Sequence, residues 1–236
     1  MKSSITGIGI VSPAGVGKEH FYKSLLEGTT GVVNYEDSPV IEKAGVIQEF
    51  KVKQYTKNIK QIKPLSKPSH FSIAAAKMAA EDADFRSLKI DEHKAGVVAG
   101  TTRQFTEKNT TSLLSADDLS LDENGAFDLV QFAGRGVRQL STKILLPGAP
   151  NITTFICNYE LGTNGYSSTI ISESNASFDV FIEGDMALAN NMADAIFCGA
   201  ADSLVSVQGC INLIPPGAEH VEDYKIVPGE GAGFFL

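Results

Sequence analysis

Residues 165–179 read G-Y-S-S-T-I-I-S-E-S-N-A-S-F-D, a β-branched run that stops in small polar residues and resumes with an amphipathic pattern. The pattern predicts a strand over 168–172 and a helix from about 175 to 190, joined by an elbow with Ser174 at its tip. Side chains at such an elbow stand beside a helix N-terminus, where unpaired N–H groups and the positive dipole end favour a nucleophile or an anion. A serine hydroxyl stays protonated there and needs an adjacent general base to attack. Without one, Ser174 and Asn175 are helix caps, worth about 1 kcal/mol. Glu173 puts a carboxylate next door, but adjacent residues across an elbow point apart, and its charge also complements the dipole. The cap outweighs the nucleophile, because a serine without a base is inert. Phe178, Phe181, Ile182, Met186 and Leu188 form the apolar side of the following helix.

Other residue types capable of chemistry are sparse. Cys157, Cys198 and Cys210 are spaced for neither a disulfide framework nor a zinc site, and their apolar or small neighbours predict buried free thiols. His20, His70, His93 and His220 form no H-x-x-x-H or H-E-x-x-H pair, so no metal site is expected. None of them lies on a segment expected to reach Ser174, and His220 is the only late candidate for its base. Arg135 and Arg138 have the charge for a phosphate contact, but isolated arginines near a helix are more often solvated. The run G-I-G-I-V-S-P-A-G fails as a dinucleotide loop, because Pro13 and the missing third glycine break the G-x-G-x-x-G spacing.

The elements that must position the elbow alternate between strand and helix, the mark of an α/β architecture. A strand over 4–11, whose Gly7 and Gly9 invite close approach of another backbone, leads to a helix over about 18–27. Residues 29–68 are polar, lysine-rich and weakly periodic, an excursion with short strands at its start. The alanine-rich stretch 69–85 is a helix, and A-G-V-V-A-G-T over 95–101 is a strand covered on both faces. Residues 101–128, rich in Thr, Ser, Asp and Asn, read as a loop or lid with at most one short helix. A helical stretch over 127–144, interrupted at Gly134 and Gly136, precedes a helix over 151–161. Strands over 195–201 and 231–236 complete the order.

With 236 residues and 43% hydrophobic content, the chain can bury a sizeable core. A formal charge of −8 argues against nucleic acid or an anionic membrane as partner. No apolar run reaches the length of a membrane span and no signal-like segment opens the chain, which predicts a cytoplasmic protein.

The motifs I-T-G-I-G-I-V-S-P-A-G-V-G, the alanine-rich helix, A-G-V-V-A-G-T, A-I-F-C-G-A-A-D-S and P-G-E-G-A-G-F-F-L resemble, in order and spacing, the N-terminal half of β-ketoacyl synthases of the thiolase fold. The resemblance implies one half of an αβαβα architecture, a mixed five-stranded sheet with helices on both faces. It implies one N-terminal-type domain over 1–236, with excursions at about 29–68 and 102–150. In active members of that family the elbow reads G-P-x-x-x-x-S-T-A-C-x-S-G. Counted from Gly165, the cysteine position is Ser174. The catalytic histidines and lysine come from the other half of the fold, which this chain lacks.

The frame S-E-S-N-A-S-F-D-V is similar to S/A-E-Q-A-G-G-L-D-A of chain-length factors, the non-catalytic partners of ketosynthases, through Glu173 and Asp179. The resemblance therefore implies an inactive accessory subunit in acyl-carrier-protein-dependent fatty acid, aryl polyene or polyketide biosynthesis, with no catalytic residue, cofactor or metal. It also implies that a lone half exposes its central helix, so a ketosynthase subunit or a second copy must cover it, with acyl carrier protein an indirect partner. The alternative is an acyltransferase or thioesterase that uses Ser174 as an acyl-accepting nucleophile. A third reading is a piece of a longer synthase-like protein.

Overall fold

The computed structural model describes residues 3–37, 41–102, 107–140, 146–206, 209, 210, 213 and 226–236, with backbone alone at 107–110, 147 and 173. The chain opens with β1 (Ile8–Ser12), folds back through β2 (Gly15–Val16) and enters α1 (Lys18–Glu27). The excursion holds a two-stranded ladder, β3 (Val32–Asn34) with β4 (Lys43–Gly45), and a short helix α2 (Ile59–Ile62). Then come α3 (Lys67–Asp82), β5 (Ala95–Gly100), α4 (Glu107–Asp118), α5 (Leu129–Gly134) and α6 (Asn151–Leu161). Last are β6 (Ser167–Ile170), α7 (Ala176–Ala189), β7 (Ala195–Ser203) and β8 (Glu230–Phe235).

One mixed sheet runs in the order β2-β1-β8-β7-β5-β6. β5 pairs in parallel with both β6 and β7, whereas β8 is antiparallel to β7 and β1. The sheet has six strands rather than five, because the two residues of β2 pair with Val11 and Ser12 through a tight hairpin. Helices cover both faces, and strand periodicity sorts the side chains between them. Val97, Phe197 and Phe234 pack with Phe71 and Ala75 of α3 and Ile156 of α6, while Val98, Ile196 and Cys198 pack with Val180 and Ala187 of α7. All six residues of β5 are buried, as its apolar run requires.

The close approach expected at Gly7 and Gly9 is made by α3. A Cβ at either glycine would collide with the carbonyl oxygen of Ala79 or Ala75, so strand and helix meet backbone to backbone. Helix α3 starts two residues earlier than the alanine pattern suggests, because Ser66 caps it by accepting the Ser69 N–H and Pro68 fits its first turn. The excursion does begin with short strands, and it is tied to the sheet through Glu230 of β8. That carboxylate, 1% exposed, accepts from the Ile47 N–H at 3.1 Å, the Ser203 hydroxyl at 2.9 Å and the Lys67 ammonium at 3.1 Å. The stretch expected as a loop or lid after Thr101 carries α4, twelve residues long, packed against the turn at Gly136–Gln139.

Candidate functional site

The elbow lies at the C-terminal end of β6. After Ile170 the chain makes a 3-10 turn at Glu173–Asn175 and runs directly into α7. The expected cap is not made. Asn175 already has helical dihedrals, φ −92° and ψ −13°, and its side chain makes no bond to the helix N-terminus. A capping residue needs an extended backbone, which the 3-10 turn removes. What closes the elbow instead is a bond from the Ser172 hydroxyl to the Asp179 carboxylate in the first turn of α7. The turn is further held by the Asn175 N–H on the Ser172 carbonyl at 3.0 Å.

Ser174 and Asn175 are exposed, and the Ser174 hydroxyl has no hydrogen-bond partner among the described residues. The side chain of Glu173 and all of His220 lie outside the described residues. Among the described histidines, His70 is bound through Nε2 to the Ile62 carbonyl at 2.8 Å, and burial lowers its pKa, partly opposed by that bond. His93 lies 3.6 Å from Glu92 at the surface. Neither of these, nor His20, exposed on α1, is hydrogen-bonded to Ser174.

Helix α7 turns Ala176, Val180, Gly184 and Ala187 to the sheet. Gly184 is required there, since a Cβ would collide with the sulfur of Cys198. Two residues along a helix is about 200° around its axis, so Phe178, Ile182 and Met186 point away from the sheet. They are 71%, 60% and 55% exposed. Core packing, the commoner role for such residues, therefore does not hold for Phe178 and Ile182. Phe181 is the partial exception, its ring tilted against Phe235 at 5.3 Å.

A cleft of 280 Å³ opens between the start of α7 and the C-terminal ends of β5 and β7. Ser177 and Asp202 line it, together with Gly100, Thr101 and Ala201; Ser174 does not. Asp202 accepts from the Thr102 hydroxyl at 2.9 Å and the Ser203 N–H at 2.8 Å. Burial raises its pKa, and these two donors only partly oppose the rise. Sequence reasoning passed over Ser177 and Asp202. Their only signal was a polar residue closing the apolar run A-I-F-C-G-A-A and a serine one helical turn beyond the elbow tip.

Cys157 and Cys198 are buried as their neighbours predict, whereas Cys210 is only partly buried. Burial pushes the Cys198 thiol up to about 12 and Cys157 further still, and Cys210 rises for the same reason. All three are free. Arg135 and Arg138 are exposed and ion-paired with nothing among the described residues. No group of three metal-ligating side chains is assembled among the described residues, and no helix there is long and apolar enough to cross a membrane.

Residues 3–218 match the family model described as the beta-ketoacyl synthase N-terminal domain. A Streptomyces virginiae protein named as a polyketide beta-ketoacyl synthase is 22% identical over 249 residues, covering 99% of this chain and 57% of its own. The ishigamide ketosynthase/chain length factor superposes with a TM-score of 0.74 at 18% identity, over 98% of this chain and 60% of that one. A type II polyketide synthase ketosynthase, solved with its acyl-carrier protein and bound to a hexaketide, gives a TM-score of 0.71 at 16% identity, with the same coverages. The chain thus spans a little over half the length of the proteins it matches.

Proposed function

Because the chain belongs to the β-ketoacyl synthase family, through that family's N-terminal domain, we propose that it is a non-catalytic accessory subunit of the chain-length-factor kind. In this reading it assists a ketosynthase acting on acyl-carrier-protein-bound chains in fatty acid, aryl polyene or polyketide biosynthesis.

The observation that carries the reading is the elbow. Condensation needs a thiolate at the helix N-terminus, and the helix dipole lowers a thiol pKa far enough to supply one. A serine hydroxyl gains no comparable ionisation, and Ser174 stands exposed on its turn with no base bonded to it among the described residues. The likeness to a ketosynthase/chain length factor supports the same assignment.

The outward stripe of α7 is where a ketosynthase subunit would seat, because three large apolar side chains on one helix face need cover. Carrier protein comes to this chain by way of that complex, as the likeness to a carrier-bound ketosynthase suggests. The lysine-rich excursion adds charge for it. Its residues 50–68 hold six lysines and no acid in a chain of net charge −8, a local field that attracts an acidic partner. A cytoplasmic setting fits three unpaired thiols.

Intact-mass measurement after incubation with acyl thioesters tests the assignment. No adduct is expected. An acyl adduct that disappears in Ser174→Ala would replace this reading with an acyltransferase or thioesterase using Ser174.

A further inference from the structure

Helix α1 faces the opposite way from a helix that merely covers a sheet. The one residue it buries is a serine, Ser24, 4% exposed, while Tyr22, Leu25 and Leu26 are each more than half exposed. Ser24 faces a cleft of 610 Å³ bounded by α1, the turn between β1 and β2, and residues 46–51 and 54–55 of the excursion. That volume lies in the range of small-molecule sites.

Among the described residues the Ser24 hydroxyl has no hydrogen-bond partner, yet it is not sealed away, since the one buried side-chain polar atom there lacking a partner is Ser72 Oγ. A group that keeps its access to a cleft is completed from the cleft.

The surroundings define what completes it. His20, one turn earlier on the same face of α1, and Gln48 add polar groups. Phe50 and Tyr55 supply an apolar wall, stacked on each other at 5.9 Å and 10°, with Phe50 also braced edge-on by Phe71 at 5.1 Å. Glu49 and Lys51 carry opposite charges, so the lining has no net charge to select an ion. Glu49 also holds a left-handed backbone at φ 53°, a strained conformation of the kind found at ligand clamps.

We propose that this cleft binds a small uncharged molecule with an apolar body and one hydrogen-bonding oxygen, engaged by Ser24. The site is separate from the elbow and does not depend on the accessory role.

The probe is 2-naphthol, followed by calorimetry and by amide shifts on the isotopically labelled protein. Saturable one-to-one binding is expected, with shifts centred on residues 14–16, 24 and 47–50. Ser24→Ala removes a hydroxyl that no other residue uses, so it should fold normally and bind about fivefold more weakly. Val33→Phe, which narrows the cleft and leaves Ser24 in place, should abolish binding. The sulfonate of the same ring should bind at least tenfold more weakly than the alcohol. Four outcomes overturn the proposal: no saturation, shifts on the outer face of α7 instead, unchanged affinity in Ser24→Ala, or preference for the sulfonate.

Discussion

At the scale of single residues, the elbow separates a position from its chemistry. Ser174 occupies the place at which the family resemblance implies a nucleophile, yet among the described residues its hydroxyl has no hydrogen-bond partner, neither a helix N–H nor a base. Ser174→Ala should therefore change stability by less than about 0.5 kcal/mol, as at an ordinary surface site. A loss near 1 kcal/mol in denaturant titration would show a cap after all. His70 makes the opposite case, a titratable group that matters because it is buried. Its pKa is lowered from the ordinary 6.5 by desolvation, so between the depressed folded value and 6.5 the unfolded chain binds more protons. The stability His70 contributes is thus complete above 6.5 and is lost as pH falls through that window. Thermal melts from pH 7 to pH 5 should show a declining midpoint, and His70→Gln should flatten the decline.

At the scale of elements, the excursion over residues 29–68 is held by a side chain from the last strand. Glu230 is buried on β8 and bonds to Ile47, Ser203 and Lys67 at once. Three charge-assisted bonds at a buried carboxylate are worth far more than a surface ion pair. Glu230→Ala should cost about 3 kcal/mol and speed amide exchange at residues 43–48, whereas Lys67→Ala, at a half-exposed cation, should cost under about 1 kcal/mol. Equal losses in the two variants would mean that the lysine, not the backbone bond to Ile47, anchors the segment. Helix ends were legible where local chemistry punctuates them. The helices expected at 18–27 and 151–161 end there because Gly28 and Gly162 adopt left-handed C-caps at φ 65° and 73°. Helix α4 was not legible, since its Thr, Ser, Asn and Asp residues have low helix propensity and tertiary packing outweighs it.

At the scale of the whole molecule, the unresolved balance is on the outer side of α7. Its inner face is satisfied by the sheet, and its outer face presents Phe178, Ile182 and Met186 to solvent. Burying a side chain of this kind stabilises by roughly 1.5–3 kcal/mol, enough for a few of them to drive association. Light scattering at micromolar concentration should find the chain associated with itself, or with a co-expressed ketosynthase subunit. Phe178→Asp with Ile182→Asp should dissociate it without lowering the helix content. A wild-type chain that stays monomeric alone and in co-expression would remove the interface.

The α/β alternation, the fully buried central strand, the free cysteines and the serine at the elbow tip were all legible in the sequence. Each of these depends on residue type and short-range spacing, which a chain carries locally. Only the tertiary structure decided that Ser177 and Asp202, not Ser174, line the elbow cleft. The same holds for Glu230 clasping a segment more than 160 residues away in sequence, and for α1 burying a serine while its leucines face out. Those outcomes follow from which backbone approaches which, as at Gly9 against α3 and Gly184 against Cys198. Contacts across such separations are set by close packing of the assembled layers, and no local pattern encodes them.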